Sequence, residues 1–426
     1  MRGLGAASLS LAVVALAACA GAPPVTATRS APPAPPVLLM DRAALADARA
    51  GALAGRADLA PAITELRRAA DMAMTATPVS VAEKTVAAPS GDPHDYVSLS
   101  IYWWPDPAKP EGLPYLQRDG QINPEATDIH RYDGAKIVRM VGSVETLALA
   151  GFLTGESMYS EAAALWLRTW FLDERTRMTP SMRLAQIIPG RAEPRGTGII
   201  ESRQLMRVVD AALLLEGTPA WAAADQDALR AWFAQLVDWL LGSAQGMMEG
   251  RATNNHGTWY DAQVADFALF AGRADAATDT LAQVGAKRAM KQIADDGHQP
   301  LELVRTRSFH YSAFNLLAFC VLGDLGDRVG VDVWHASPRV RNGIDFLTPY
   351  REGTKAWPHP ELKDVDYPAE LAPILARAAR AYPDAGYDRM LASLSAKQSA
   401  LGALKLRLGV FGSLGGTASA PPPWAV

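Results

Sequence analysis

The sequence predicts an all-α fold made of helical hairpins, arranged as a solenoid or as the same array closed into an α/α toroid. Apolar residues recur at helical spacing along most of the 426 residues, which is typical of amphipathic helices that share a core. The links between these helices are short and polar, and convincing strand patterns are scarce. Because no strict repeat length is visible, a repeat solenoid is disfavoured.

The predicted helices follow one another from residue 59 to residue 403. The first has an apolar stripe from Leu59 to Ala70 at helical spacing. The helix that ends at Leu215 is followed by Gly217 and Pro219, a strong C-terminal signal. Further helices are predicted over 137–153, 205–215, 229–240, 257–271, 275–295, 309–323, 338–348, 368–382 and 386–403.

The least helical part of the body is residues 86–133, which are rich in Pro, Gly and aromatic residues. Tyr96 to Tyr102 is the best candidate there for extended chain. So long a non-helical insertion within a helical protein usually has a function. We therefore expect this N-terminal insertion to contribute to a site.

Residues 1–19 have the pattern of an export signal. Arg2 precedes the apolar stretch Leu9 to Ala18, which is too short to span a bilayer comfortably. The stretch ends in Leu16-Ala17-Ala18-Cys19, which resembles the lipobox of bacterial lipoproteins. We therefore expect lipidation of Cys19 and a periplasmic protein held at the membrane only by its lipid. An ordinary secretory signal is the alternative, and no other segment is predicted to span a membrane.

Loose segments flank one large body. Residues 20–37 are rich in Pro and Ala and predict an extended tether, and residues 411–426 predict a flexible tail. Residues 38–410 contain no linker that demands a second domain. Cys320 lies in an apolar run of this body and is predicted to be a buried core thiol.

The charge balance limits the classes of partner. A net charge of −4 argues against nucleic-acid binding, which needs a basic domain. An anionic ligand remains compatible with this charge, because arginines cluster locally. The clustered arginines are Arg183, Arg191, Arg195, Arg203, Arg207, Arg251, Arg305 and Arg307.

The densest group of functional side chains is the motif from Asn254 to Asp261. Two amides, an imidazole, two aromatic rings and a carboxylate fall within eight residues. The motif follows the polar break 249–251, which ends an amphipathic helix. Such a composition suits a site that holds a sugar acid and moves a proton.

Several motifs, in one order along the chain, resemble the alginate lyase superfamily. Three of them belong to the insertion, and the last contains an arginine and a tyrosine. The motifs are Ser90 to Tyr96, Tyr102 to Pro107, Leu113 to Tyr115 with Asp119-Gly120, Ala185 to Gly190 with Gly196 to Ile200, Asn254 to His256, and Leu301 to Tyr311.

This resemblance implies an α/α toroid, that is, an incomplete α/α barrel, with a deep cleft or tunnel. It implies lysis of an anionic polysaccharide, alginate or glucuronan, by β-elimination without a cofactor or required metal. Arg305 and Tyr311 lie six positions apart, whereas compact bacterial alginate lyases have one more residue between them. The branch that includes glucuronan lyases is therefore the closer one. The histidines also show no metal-ligand spacing.

β-Elimination on a uronate needs neutralisation of the C6 carboxylate, a base for the C5 proton and an acid for O4. The family's catalytic residues correspond to Asn255, His256, Arg305 and Tyr311. Asn255 suits the carboxylate, with help from the charge of Arg305. Arg305 also suits lowering the pKa of Tyr311, which carries the proton on a syn course. His256 is the base on an anti course.

Each assignment has a structural alternative. Asn255 is a good helix N-cap residue, with Asn254 the better candidate for that role. His256 is otherwise a satisfied structural histidine, and Tyr311 is otherwise a core aromatic on an amphipathic helix.

Further side chains are predicted to contact the substrate. Aromatic rings offer stacking surfaces to sugars, and polar groups offer hydrogen bonds or charge. These residues are Tyr102, Trp103, Trp104, Gln186, Arg195, Trp259, Tyr260, Arg307 and His310.

Two other functions compete with a lyase. A glycoside hydrolase needs two carboxylates across a cleft, for which Asp133, Glu201 and Asp261 are candidates. A lipoprotein that only binds polysaccharide would keep the aromatic residues and arginines. It would not need Tyr311 beside a histidine.

Overall fold

The computed structural model describes residues 36–193 and 195–397. The predicted signal with Cys19, nearly all of the tether and the tail lie outside these residues. In the described part, α-helices dominate, as predicted. They are α1 (Arg42–Leu53), α2 (Ala60–Met74), α3 (Gly134–Thr154), α4 (Ser157–Leu167), α5 (Leu205–Leu215), α6 (Ala223–Gly242), α7 (Ala244–Gly250), α8 (Asn255–Phe270), α9 (Ala274–Ala282), α10 (Met290–Gln292), α11 (Pro300–Leu303), α12 (Ser308–Val329), α13 (Arg339–Leu347), α14 (Tyr367–Ala381) and α15 (Tyr387–Lys397).

The helices form two layers. In one layer α3, α5, α8, α12 and α14 each contact the next member of the series. In the other layer α2 and α4 pack on α3, α6 and α9 pack on α8, α13 packs on α12, and α15 packs on α14. Successive long helices therefore alternate between the layers, which is the predicted array of helical hairpins.

The sequence did not predict α1, α4 or the short helices α7 and α11, and one predicted helix is divided. α1 and α4 carry no clean apolar stripe; Leu165 of α4, for example, is an exposed apolar residue. The predicted helix over 275–295 ends at Ala282, and a π-helical turn follows at Gly285–Ala289. Apolar spacing predicts a helical region but does not show such changes in its winding.

One core helix also satisfies the length and composition of a membrane span. α3 has 21 residues, although no segment of the body was predicted to be long and apolar enough. In its most apolar window, 61% of the residues are buried inside the protein, and its neighbours are α1, α2, α4 and α5. Its apolar composition is therefore explained by packing on several sides.

The insertion contributes three strands to two small sheets, and the fourth strand comes from a later part of the chain. Strand β1 (Val97–Leu99) lies within the segment predicted to be extended, and pairs in parallel with β4 (Leu184–Ile187). Strands β2 (Trp103–Trp104) and β3 (Leu116–Gln117) pair in antiparallel fashion. A separate apolar cluster, to which Val97, Leu99, Tyr115, Tyr132 and Ile188 belong, supports these strands.

A buried carboxylate holds the first residues of the body. Asp210 on α5 accepts hydrogen bonds from the backbone N–H groups of Leu38 (2.6 Å), Leu39 (3.1 Å) and Met40 (2.7 Å). Arg328 on α12 donates to the carbonyl oxygens of Leu38 and Met40. Burial raises the pKa of Asp210 to about 6, although the hydrogen bonds from these backbone N–H groups act to lower it. The segment 37–40 is thus part of the folded body.

Cys320 lies on α12 and is fully buried. Burial raises the pKa of its thiol, which keeps it protonated. The prediction of a core thiol is confirmed.

We expect Asp210→Ala to lower the free energy of unfolding by about 2–4 kcal/mol, because it leaves several buried N–H groups without an acceptor. Asp266 on α8 is a matched control. Its buried carboxylate oxygens have no hydrogen-bond partner among the described residues, and burial raises its pKa well above the ordinary value. Asp266→Asn should change stability by less than about 1 kcal/mol. Urea unfolding of both variants measures the difference, and equal losses would contradict the role of Asp210.

Candidate active site

The side chain of Asn255 lies at the start of α8 and is almost completely buried. Its backbone N–H donates to Glu302 Oε1 and its Nδ2 donates to Glu302 Oε2, both at 2.7 Å. One carboxylate therefore fixes both the backbone and the amide. The N-cap position belongs to Asn254, so capping does not account for Asn255.

Glu302 links two parts of the predicted site. Burial raises the pKa of its carboxyl, while the hydrogen bonds from Asn255 and the charges of Arg305 and His256 act to lower it. The carboxyl thus lies within electrostatic range of the histidine on α8 and of the arginine that precedes α12. The Asn255-His256 pair and the Arg305 segment therefore come together around Glu302.

A buried arginine fixes the turn that leads into this motif. Arg288 donates to the carbonyl oxygens of Ala252 (2.6 Å) and Gly250 (2.8 Å), and to both carboxylate oxygens of Asp261. A Cβ at Gly257 would lie 2.2 Å from Arg288 Nη1 and 2.1 Å from the Ala252 oxygen. Position 257 therefore requires glycine so that the guanidinium can reach the turn.

His256 is oriented by a second buried carboxylate. Its Nδ1 lies 2.6 Å from Oε1 of Glu249, which is at the end of α7. The imidazole side chain keeps about a fifth of its surface exposed (20%), whereas that of Glu249 keeps 5%. With Nδ1 occupied, Nε2 is the nitrogen available to a ligand.

Tyr311 lies on α12, and its hydroxyl is 2.9 Å from the hydroxyl of Tyr102 in the insertion. Arg305 covers the ring of Tyr311, with its guanidinium carbon 3.7 Å from the ring centre. Asp119, also in the insertion, accepts from Arg305 Nη2 (2.6 Å) and Nε (3.3 Å). The insertion therefore supplies one tyrosine to the pair and the carboxylate that orients the arginine.

The pKa of Tyr311 is raised, whereas the sequence predicted that Arg305 would lower it. Burial is the largest effect and raises the pKa; the charge of Arg305 and the hydrogen bond with Tyr102 act in the lowering direction. The sign of the arginine's effect is as expected. Its size is smaller than the desolvation of a tyrosine that is only 4% exposed.

A C-terminal segment, Trp357 to Leu362, fastens the stretch between Arg305 and Tyr311. Ser308 N donates to the Pro360 carbonyl (3.1 Å), and Leu362 N donates to the Thr306 carbonyl (2.7 Å). The Trp357 indole donates to Ser308 Oγ at 2.7 Å. Thr306 also donates to Asp119 through its backbone and its hydroxyl. The stretch is therefore held from two distant parts of the chain.

Arg307 and His310 are both buried beside this stretch. His310 Nδ1 lies 2.7 Å from Oε1 of Glu370 on α14, and its ring stacks on Phe314 at a centroid distance of 5.8 Å. Arg307 forms a backbone bridge with Glu361. His310 therefore binds a residue of α14, whereas the guanidinium of Arg307 has no hydrogen-bond or ion-pair partner in the described part of the chain.

Trp103 and Trp104 are partly exposed on the insertion. The guanidinium groups of Arg191 and Arg195 lie 4.6 and 5.7 Å from the centre of the Trp103 ring. Arg118 covers Trp104 in the same manner, at 5.3 Å. These rings carry positive charge on their faces and remain accessible to a ligand.

Trp259 and Tyr260 lie inside the protein instead. Trp259 is 1% exposed and packs against Phe314, and the Tyr260 hydroxyl donates to the Leu240 carbonyl at 2.8 Å. Both point inward because the first turns of α8 are enclosed by neighbouring helices on nearly every side. The structure gives them a packing role where the sequence suggested sugar stacking.

Gln186 has an unusual backbone for a residue with a side chain, with a φ of 52°. Its N–H donates to Ser98 Oγ at 2.8 Å, and its carbonyl accepts from Arg195 Nη1 at 3.4 Å. A left-handed residue other than glycine is costly and is found often at functional sites. Gln186 and Arg195 thus lie together, at the junction of β4 with the insertion.

Four residues of the site received no individual role from the sequence. Glu249 opens the polar break before the motif, Asp119 belongs to a family-like dipeptide, and Glu302 lies in the arginine–tyrosine segment. Arg203, known only as one of the clustered arginines, lies over Phe314 at 4.9 Å, and burial lowers its pKa to about 10. Each of these residues lies in a motif or cluster that the sequence had indicated. Their contacts in the site are with residues distant along the chain, which local sequence does not show.

The carboxylates considered for a hydrolase are engaged elsewhere. Asp261 binds Arg288, and Asp133 is buried between Lys84 and Lys136. Glu201 accepts hydrogen bonds from the hydroxyls of Tyr96 and Ser98. In the described part of the chain, no group of three or more His, Cys, Asp or Glu side chains is arranged to hold a metal ion.

Comparison with known proteins agrees with this geometry. A profile of the alginate lyase family matches residues 80–357. The chain is similar to the crystal structure of an alginate lyase from Bacteroides ovatus, with 36% identity and a TM-score of 0.83 over 88% of this chain and 99% of that chain. This similarity confirms the predicted all-α toroid class.

A second solved structure is alginate lyase A1-III from Sphingomonas species A1. It has 14% identity and a TM-score of 0.46, over 76% of this chain and 88% of that chain. This likeness is too weak to support a conclusion. Among curated proteins, none matches the chain.

We expect Gly257→Ala to destabilise the protein by about 1–3 kcal/mol, because the new methyl group collides with Arg288 and the Ala252 carbonyl. Gly142 in α3 is a matched control, since a Cβ there meets no atom within 4 Å. Gly142→Ala should stabilise the helix by about 0.5–1 kcal/mol. Thermal unfolding of the two variants should therefore move in opposite directions; a Gly257→Ala protein as stable as the parent would contradict this account.

Proposed function

The chain belongs to the alginate lyase family and is a polysaccharide lyase, and we propose that it cleaves a uronic-acid polymer, alginate or glucuronan, by β-elimination. The products are then a new reducing end and a 4,5-unsaturated uronate end. The observation that carries the proposal is the Tyr311 hydroxyl, hydrogen-bonded to Tyr102 beneath a guanidinium that covers its ring.

The tyrosine pair suits the proton transfers. The base removes the C5 proton, the electron pair of the C5–H bond forms the C4–C5 double bond, and the C4–O4 bond breaks. O4 takes a proton as it leaves. On a syn course Tyr311 takes the first proton and supplies the second, so that the enzyme is unchanged at the end. Tyr102 is placed to exchange a hydrogen bond with the Tyr311 oxygen as its charge changes.

The Asn255–Glu302 pair suits the carboxylate of the substrate. One of the two Nδ2 hydrogens of Asn255 is used by Glu302, which leaves the other for a ligand. A fully ionised Glu302 beside the site would repel a uronate. Burial raises the pKa of Glu302 and so disfavours that charge. Asn255 can thus donate to the C6 carboxylate and stabilise the enolate that forms from it.

His256 offers a second route for the C5 proton. Glu249 occupies its Nδ1, so that Nε2 is left to act as a base on an anti course, with Tyr311 as the acid. The two courses share Tyr311 and differ in its state before the reaction, which is ionised on the syn course and protonated on the anti course.

Trp103 supports an anionic polymer as the substrate. A partly exposed indole with two guanidinium groups near its face combines a surface for stacking with positive charge. Sugar rings with carboxylates match both properties, whereas a neutral glycan matches only the first.

The direct test incubates the purified protein with alginate, polymannuronate, polyguluronate and glucuronan, while ultraviolet absorbance reports unsaturated ends. We expect absorbance to rise on at least one polymer, and Tyr311→Phe to lower the rate by about 10²–10⁴-fold. Tyr102→Phe should cost less, because it removes only a hydrogen-bond partner. New reducing ends without absorbance would instead indicate a hydrolase, and binding without products a non-catalytic protein.

The dependence of the rate on pH distinguishes the two courses. Because burial raises the pKa of Tyr311, only a small fraction is ionised at neutral pH. If Tyr311 is the base, kcat/KM should rise about tenfold per pH unit between about pH 7 and 9. A level profile over this range would exclude an ionised Tyr311 as the base and leave the proton to His256.

A further inference from the structure

The two arginines that precede α12 are in different electrostatic situations. Arg305 has its guanidinium on the Asp119 carboxylate and over the Tyr311 ring. Its hydrogen-bonding fork is therefore largely occupied before any substrate binds. Arg307, two residues later, has no carboxylate bound to its guanidinium among the described residues.

Arg307 is buried without a counter-ion. Its side chain is 9% exposed, and its Nε has no hydrogen-bond partner. Within residues 36–193 and 195–397 its guanidinium forms neither a hydrogen bond nor an ion pair. Its backbone is well fixed, since it bridges to Glu361 and its carbonyl accepts from Tyr311 N at 3.0 Å.

Glu361 is near Arg307, but the two side chains form no ion pair among the described residues. Its Oε2 accepts from the backbone N–H of Phe309 at 3.0 Å, and its Oε1 has no hydrogen-bond partner among the residues that the structure describes. Burial raises the pKa of the Glu361 carboxyl, while the hydrogen bond from Phe309 and the charge of Arg307 act to lower it. A buried guanidinium in such surroundings is costly unless a ligand brings an anion.

The location of this cation matters for the reaction. The charge of Arg307 acts to lower the pKa of both Tyr102 and Tyr311, so its guanidinium lies within electrostatic range of the pair that moves the proton. In a uronate, the carboxyl carbon C6 is bonded directly to C5. A carboxylate that binds Arg307 therefore brings the C5 proton to the neighbourhood of Tyr311.

We propose that Arg307 is the receptor for the carboxylate of the uronate whose C5 proton is removed. Arg305 then does not contact the substrate; it is a positioning residue that orients Tyr311. A guanidinium fork binds a carboxylate in two parallel hydrogen bonds and adds charge to the neutral donor Asn255. This assignment rests on the proposed function, because it requires a uronate in the site.

Binding can be measured without turnover in the Tyr311→Phe protein. Isothermal titration calorimetry would compare a tetrasaccharide of the polymer that is cleaved with the same tetrasaccharide after reduction of its carboxyl groups. We expect Arg307→Gln in the Tyr311→Phe background to weaken the charged ligand by about 10–100-fold, as for a lost charged hydrogen bond. The affinity for the reduced ligand should stay the same, and Arg307→Lys should give an intermediate loss.

Two further variants are compared with Arg307→Gln. Arg139→Gln removes an exposed charge on α3 and should leave both affinities unchanged. In the active protein, Arg305→Gln should lower kcat with little change in the affinity for the substrate, because it disturbs Tyr311.

The assignment is overturned if Arg307→Gln and Arg307→Lys bind the charged tetrasaccharide as tightly as the parent. It is also overturned if charged and reduced ligands are weakened equally, since that indicates a purely structural arginine. A Tyr311→Phe protein that binds no uronate oligosaccharide would overturn the proposed function as well.

Discussion

The site depends on one buried guanidinium. Arg288 binds the carbonyl oxygens of the turn before α8 and the carboxylate of Asp261 inside that helix. This double attachment sets the angle at which the chain enters α8, and Gly257 is the space that makes it possible. Asn255 and His256 lie between the two attachment points. Their separate carboxylate partners, Glu302 and Glu249, can hold them only because the turn is already fixed.

The remaining half of the site is divided between the helices and the insertion. Tyr311 comes from α12, whereas its hydroxyl partner Tyr102 and the orienting carboxylate of Asp119 come from turns of the insertion. An apolar cluster of its own gives the insertion a defined position. The helical layers therefore provide a rigid wall, and the insertion completes the chemistry against it. Such a division places precise geometry in a segment that has little regular secondary structure.

Much of this could be predicted from local sequence. Apolar spacing identified most helices, and the motif around Asn255 indicated where the functional groups lie. The missing parts are partners that are distant along the chain. Glu302 is 47 residues from Asn255, and Asp119 is 186 residues from Arg305, so no spacing rule connects them. Trp259 is a residue for which the sequence predicted substrate contact and the structure shows burial. Residue type alone does not show whether an aromatic ring faces a ligand or the core.

The fastening of the stretch before Tyr311 limits how far this protein can be shortened. The family match ends at residue 357, yet Pro360 and Leu362, beyond it, make backbone hydrogen bonds to the stretch that carries both arginines. A fragment trimmed to the matched region would keep every residue assigned to the chemistry and would lose part of the frame that holds them. The smallest fragment that keeps this frame intact is therefore larger than the region that the family profile matches.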